Sequence, residues 1–131
     1  MRRLFFALLF AAGSANAADA ALLQCSPEEG RVRAYVDGFG KGDALPEGLE
    51  TFRAFVRPGA DEYEFRPEHT TSSSLKDGVL RIEARRDLSG GAEAEFEFEG
   101  TAAPDGREFG ARILFRSEGR VMHGTVRCKL I

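Results

Sequence analysis

A serine run beside a histidine, a row of four glutamates and one pair of cysteines are the residues in this chain whose types and spacing could do chemistry. His69, Thr70 and Ser72 sit in the polar stretch Pro67 to Ser74, with Asp61 shortly upstream. Acid, base and hydroxyl are the parts of an acyl-transfer site, but such a site is defined by how they converge and not by their order. The Gly-x-Ser-x-Gly turn that would hold a serine nucleophile exposed is missing. A phosphate-cradling glycine loop leading into a helix is missing too.

Metal chemistry fares no better. His69 and His123 are far apart, and neither has a second histidine at ligand spacing, whereas zinc needs three or four convergent ligands. Glu93, Glu95, Glu97 and Glu99 alternate with Ala94, Phe96 and Phe98. On a strand their carboxylates share one face about 7 Å apart. Such a row could attract a cationic partner or hold calcium weakly, although calcium loops combine carboxylates with backbone carbonyls in a curved turn. It could also simply keep a sheet soluble and pair with Arg81 and Arg85 across a hairpin. No cofactor is expected.

The ends of the chain set the compartment. Met1-Arg2-Arg3 is followed by the apolar run Leu4 to Ala12, a break at Gly13-Ser14, and Ala15-Asn16-Ala17. That order is an export signal with its cut between Ala17 and Ala18. The apolar run is too short to span a bilayer. Gln24 before Cys25 argues against a lipidated cysteine, because a lipobox needs a small residue there. Residues 1–17 are therefore read as a cleaved signal and residues 18–131 as one periplasmic or secreted β-domain with no stable membrane anchor. Two cysteines in an exported chain predict a Cys25–Cys128 disulfide.

Charge narrows the partners. Arg2 and Arg3 leave with the signal, so 16 of the chain's 18 basic residues face 21 acidic ones, a formal −5. An acidic domain is repelled by phosphate backbones, so no nucleic acid is expected. Neither Asn nor Trp occurs after residue 17, which excludes N-glycosylation and removes tryptophan sugar platforms.

The elements that must position these groups are strands. Period-two alternation runs through Leu80-Ile82-Ala84, Ala92 to Glu99, Phe109-Ala111-Ile113-Phe115 and Met122 to Leu130. Lys76-Asp77-Gly78, Pro104-Asp105-Gly106 and Ser117-Glu118-Gly119 are turn signals. Pairing Phe115 with Met122 also matches Ile113 with Gly124 and Ala111 with Val126, so one register gathers both apolar sets. Val32 to Val36 and Phe52 to Val56 share a pattern and are read as strands buried on both faces, joined by a Gly-rich loop holding Pro46.

The expectation is an all-β fold: about eight short antiparallel strands in a meander-rich barrel or sandwich closed by one disulfide. Functionally it points to binding, with a basic envelope or secreted protein or a small apolar ligand as partner. The competing reading is a small hydrolase or isomerase with its site in a β-barrel mouth.

Overall fold

The computed structural model describes residues 20–40, 49–101 and 108–131. The expected signal segment, the Ala17–Ala18 junction, Pro46 and the expected turn at Pro104-Asp105-Gly106 lie outside them. Nine strands follow in order: β1 Ala20–Gly30, β2 Arg33–Gly40, β3 Leu49–Arg57, β4 Tyr63–Phe65, β5 Thr70–Lys76, β6 Val79–Asp87, β7 Glu93–Thr101, β8 Glu108–Ser117 and β9 Arg120–Leu130. They form one sheet in the order β4-β3-β2-β1-β9-β8-β7-β6-β5, and every neighbouring pair is antiparallel.

Sequence neighbours are sheet neighbours except for β4 and β5, which lie at the two edges, and the chain ends meet where β1 pairs with β9. Counting directions round this circuit sets β4 and β5 running the same way. A short 3₁₀ turn, Pro67–His69, joins them. The two are thus one stave: its first part pairs with β3 and its second part with β6. Nine strands make eight staves of an up-and-down barrel, with a seam where the chain crosses from one edge to the other.

Curling is visible in the aromatic core. The Phe65 ring of β4 stacks on Phe96 of β7 at 5.7 Å and meets Phe115 of β8 edge-on at 6.4 Å. Tyr63 lies 5.1 Å from the same Phe115 ring. In a flat sheet, strands five places apart would be about 24 Å from each other. The inward rows close into a core that includes Val36, Phe52, Phe65, Leu80, Ile82, Phe96, Phe98, Phe109 and Phe115, all buried. No polar or charged residue is fully buried among the described residues.

Local chemistry explains the hairpins. Asp77-Gly78 and Glu118-Gly119 both have positive φ at both positions, the type I′ geometry whose twist matches paired strands. Beyond them Lys76 pairs with Val79, and Ser117 with Arg120. The expected register of the last hairpin is the one found: Phe115 opposite Met122, Ile113 opposite Gly124, Ala111 opposite Val126. Cys25 and Cys128 are directly opposed across β1 and β9, with Cα atoms 4.0 Å apart, and are disulfide-bonded.

One expectation needs correction. The strands at Val32 to Val36 and Phe52 to Val56 are not buried on both faces. Val32, Ala34, Val36, Phe52, Ala54 and Val56 point inward, while Tyr35 is 47% exposed and Arg33 and Arg53 face solvent. A barrel has only one inside, so alternation is what its staves must show. The polar stretch at Pro67 to Ser74, expected as an exposed loop or edge, is a 3₁₀ turn followed by most of an exposed edge strand.

Candidate functional site

The outer face of β6, β7, β8 and β9 carries the densest charge in the molecule's described part, and strand register arranges it in three rows. The first runs Arg81, Glu99, Arg112, Thr125; the second Glu83, Glu97, Leu114, His123; the third Arg85, Glu95, Arg116, Val121. Within each row every residue stands directly opposite the next. All of them face outward because their neighbours Ile82, Phe98, Ile113 and Gly124 face in.

The outer rows are clamped. Glu99 accepts from Arg81 Nε at 2.9 Å and from Arg112 Nη2 on the other side. Glu95 accepts from Arg116 Nη1 at 2.7 Å and lies 3.5 Å from Arg85 Nη2. Glu93 is 3.8 Å from Arg85 Nε. The Arg116 hydrogen bond, reinforced by the charge of Arg85, holds the Glu95 carboxyl below the usual glutamate range. Arg81 and then Arg112 do the same for Glu99. Arg116 in turn is raised, first by its bond to Glu95.

The middle row differs. Glu83 and Glu97 are like charges placed directly across the ladder. Glu97 has one cation nearby, Arg116 Nη1 at 3.5 Å, and Glu83 has no ion pair among the described residues. Opposed like charges destabilise a strand pair. Around this row lies an open depression of about 370 Å³, whose lining includes Glu83, Glu97, Leu114 and His123 and, at its flanks, Arg81 and Arg112. The arrangement offers two adjacent carboxylates over the half-buried Leu114 side chain, a seat for one cationic group with an apolar stem.

The expected site residues are distributed as follows. Glu93, Glu95, Glu97 and Glu99 share one face as anticipated, and Arg81 and Arg85 pair with that row. The second bank of arginines, Arg112 and Arg116, and the opposing Glu83 came from register and not from local pattern. His69, Thr70 and Ser72 are not drawn into a cleft with Asp61. His69 Nδ1 accepts the Arg66 backbone N–H at 2.9 Å, tying down the 3₁₀ turn. Ser72 is exposed on β5, and Asp61 lies at one barrel end in a depression of about 230 Å³ with Tyr63, Phe115 and Arg120. Among the described residues no three His, Cys, Asp or Glu side chains are grouped to hold a metal ion.

No family model matches this chain, no curated protein matches it in sequence and no solved structure matches it in fold, so its functional reading rests on its own residues.

Proposed function

We propose that this protein is an exported β-domain that acts by binding, and that it holds a cationic group of a protein partner on the β6–β9 face. The observation that carries this reading is the middle row. Glu83 opposes Glu97 at a cost to the sheet, while the rows on either side are each neutralised by two arginines. A purely solubilising face has no use for that pairing, whereas a lysine or arginine arriving from a partner relieves it. The packing of Phe65 against Phe96 and Phe115 across the barrel interior favours a surface over an interior ligand site.

The two arginine banks also revise how steering works. Arg81, Arg85, Arg112 and Arg116 nearly cancel the glutamates of this face, so attraction is local to the depression instead of spread along β7. Specificity then comes from geometry: a cation reaches Glu83 and Glu97 if its stem can lie on Leu114, and the flanking arginines repel one that misses.

Export is the second half of the proposal. A Cys25–Cys128 disulfide suits an oxidising compartment, and no helix among the described residues is long and apolar enough to cross a membrane. Intact mass of protein recovered from the periplasm or medium tests the cut between Ala17 and Ala18. The binding half is tested by affinity capture from envelope and medium fractions, comparing the wild-type domain with the Glu83→Gln/Glu97→Gln variant. A basic protein retained at low salt by the first and not by the second is expected. Equal capture by both would refute the assignment of the face.

A further inference from the structure

A sheet that stops short of full closure leaves two edges, and this one treats them differently. The β4 edge is three residues long, and Arg86 of β6 reaches across the seam to donate from Nη1 to the Glu64 carbonyl at 2.6 Å. That edge is short and its outward carbonyl is occupied, two of the ways proteins blunt a free strand. The β5 edge is seven residues long, Thr70-Thr71-Ser72-Ser73-Ser74-Leu75-Lys76, and among the described residues nothing pairs with its outer side. The facing half of β3, Leu49 to Arg53, forms no ladder with it, since β3 meets β4 at Ala54 to Val56 alone.

The exposure pattern marks how far β5 has peeled away. Ser73 stands opposite Ile82, which is buried, so both belong to the inward register. Ser73 is nevertheless exposed, as are Thr71, Ser72 and Ser74. One bulge disturbs the strand between Thr70 and Ser72, but Ser72 to Lys76 pair regularly with β6. No proline interrupts this segment, and Lys76 is its one charge.

We infer that β5 is a docking edge for β5 of a second copy, joined antiparallel about a two-fold axis at Ser74. This register opposes Ser72 to Lys76 of the other chain, Ser73 to Leu75, and Ser74 to itself. The lone cation therefore never meets its own copy, and hydroxyls line the central position, where serine and threonine pairs hydrogen-bond across strands. The half-buried Leu75 gains a neighbour on the inner side of the joined sheets. A free strand edge is a ready template for another strand, and an isologous two-fold contact closes on itself without growing into a fibre. So short a contact falls in the weak class, below about 1,200 Å² of buried surface, and self-association is therefore reversible and concentration-dependent.

The test uses the whole processed protein in two arms. In sedimentation equilibrium the wild type shifts from monomer toward dimer as concentration rises. Ser74→Lys, which sets two cations across the axis, weakens that association by about fivefold or more. In the second arm Ser74→Cys cross-links between chains under mild oxidation, because opposed Cα atoms in an antiparallel pair lie within disulfide range. Ser72→Cys does not, since its copies stand about 13 Å apart along the strands in this register. Circular dichroism confirms that each variant keeps its sheet. Wild-type protein that stays monomeric to millimolar concentration overturns the inference, as does equal cross-linking at Ser72→Cys and Ser74→Cys.

Discussion

Arg86 donates to the backbone carbonyl of Glu64 at 2.6 Å across a seam where their strands share no ladder. The guanidinium stands in for the strand pairing that β4 and β6 lack. A hydrogen bond from a charged donor contributes about 1.5–3 kcal/mol when its partner would otherwise be left bare. Arg86→Met keeps much of the aliphatic stem and removes the donor. It is expected to lower stability by about 1–2 kcal/mol, and to speed amide exchange at Tyr63, Glu64 and Phe65 more than in β1 or β9. Uniform exchange across the barrel would show that the seam has no such clasp.

Gly30 faces Gly124 across β1 and β9, and neither position has room for a side chain. A methyl group on Gly124 would stand 2.3 Å from the Val32 carbonyl oxygen and 3.0 Å from that of Glu29. Both obstacles are backbone, so neither can swing aside. Gly124→Ala is expected to cost roughly 1–3 kcal/mol through overpacking. Gly30→Ala costs at least as much, because Gly30 also holds φ at +117°. Urea midpoints of the two variants, set against an alanine at the open turn glycine Gly59, measure the difference.

Acid should loosen the β6–β8 face. The folded Glu95 carboxyl lies below its ordinary value of 4.5, so its pairing with Arg116 and Arg85 contributes stability above about that pH. The contribution is lost as pH falls through the folded value. Arg116→Met removes the leading cause and should move the Glu95 titration up toward 4.5. Carboxyl-resolved NMR titration reads this directly, and an unmoved Glu95 would show that the Arg116 bond does not set its charge.

Much of the fold was legible because its staves alternate strictly. The β7 pattern of glutamates against Ala94, Phe96 and Phe98 has one solution, and the β8–β9 register followed from matching two apolar sets across a tight turn. The Cys25–Cys128 bridge was legible from compartment logic and the count of two. The seam was not, because Pro67 to Ser74 has no apolar period to show which edge it joins. Its β4 and β5 parts take different partners, β3 and β6, and Phe65 of β4 packs on Phe96 across the barrel, a long-range contact that no local pattern encodes. The candidate site was half legible. The Glu97 row was visible on its own strand, but Glu83, Leu114 and His123 reach it through register across three neighbouring strands, information no local pattern holds.

The claim that Glu83 and Glu97 form a seat for a cation is tested most directly by titrating the ¹⁵N-labelled domain with a tri-arginine peptide at low salt. Saturable amide shifts are expected to centre on Glu83, Glu97, Leu114 and His123, and to vanish in Glu83→Gln/Glu97→Gln while persisting in Glu93→Gln. The double variant should also gain a few tenths to about 1 kcal/mol of stability, because it removes opposed like charges. Shifts centred on another face, or a double variant that binds the peptide unchanged, would contradict the account.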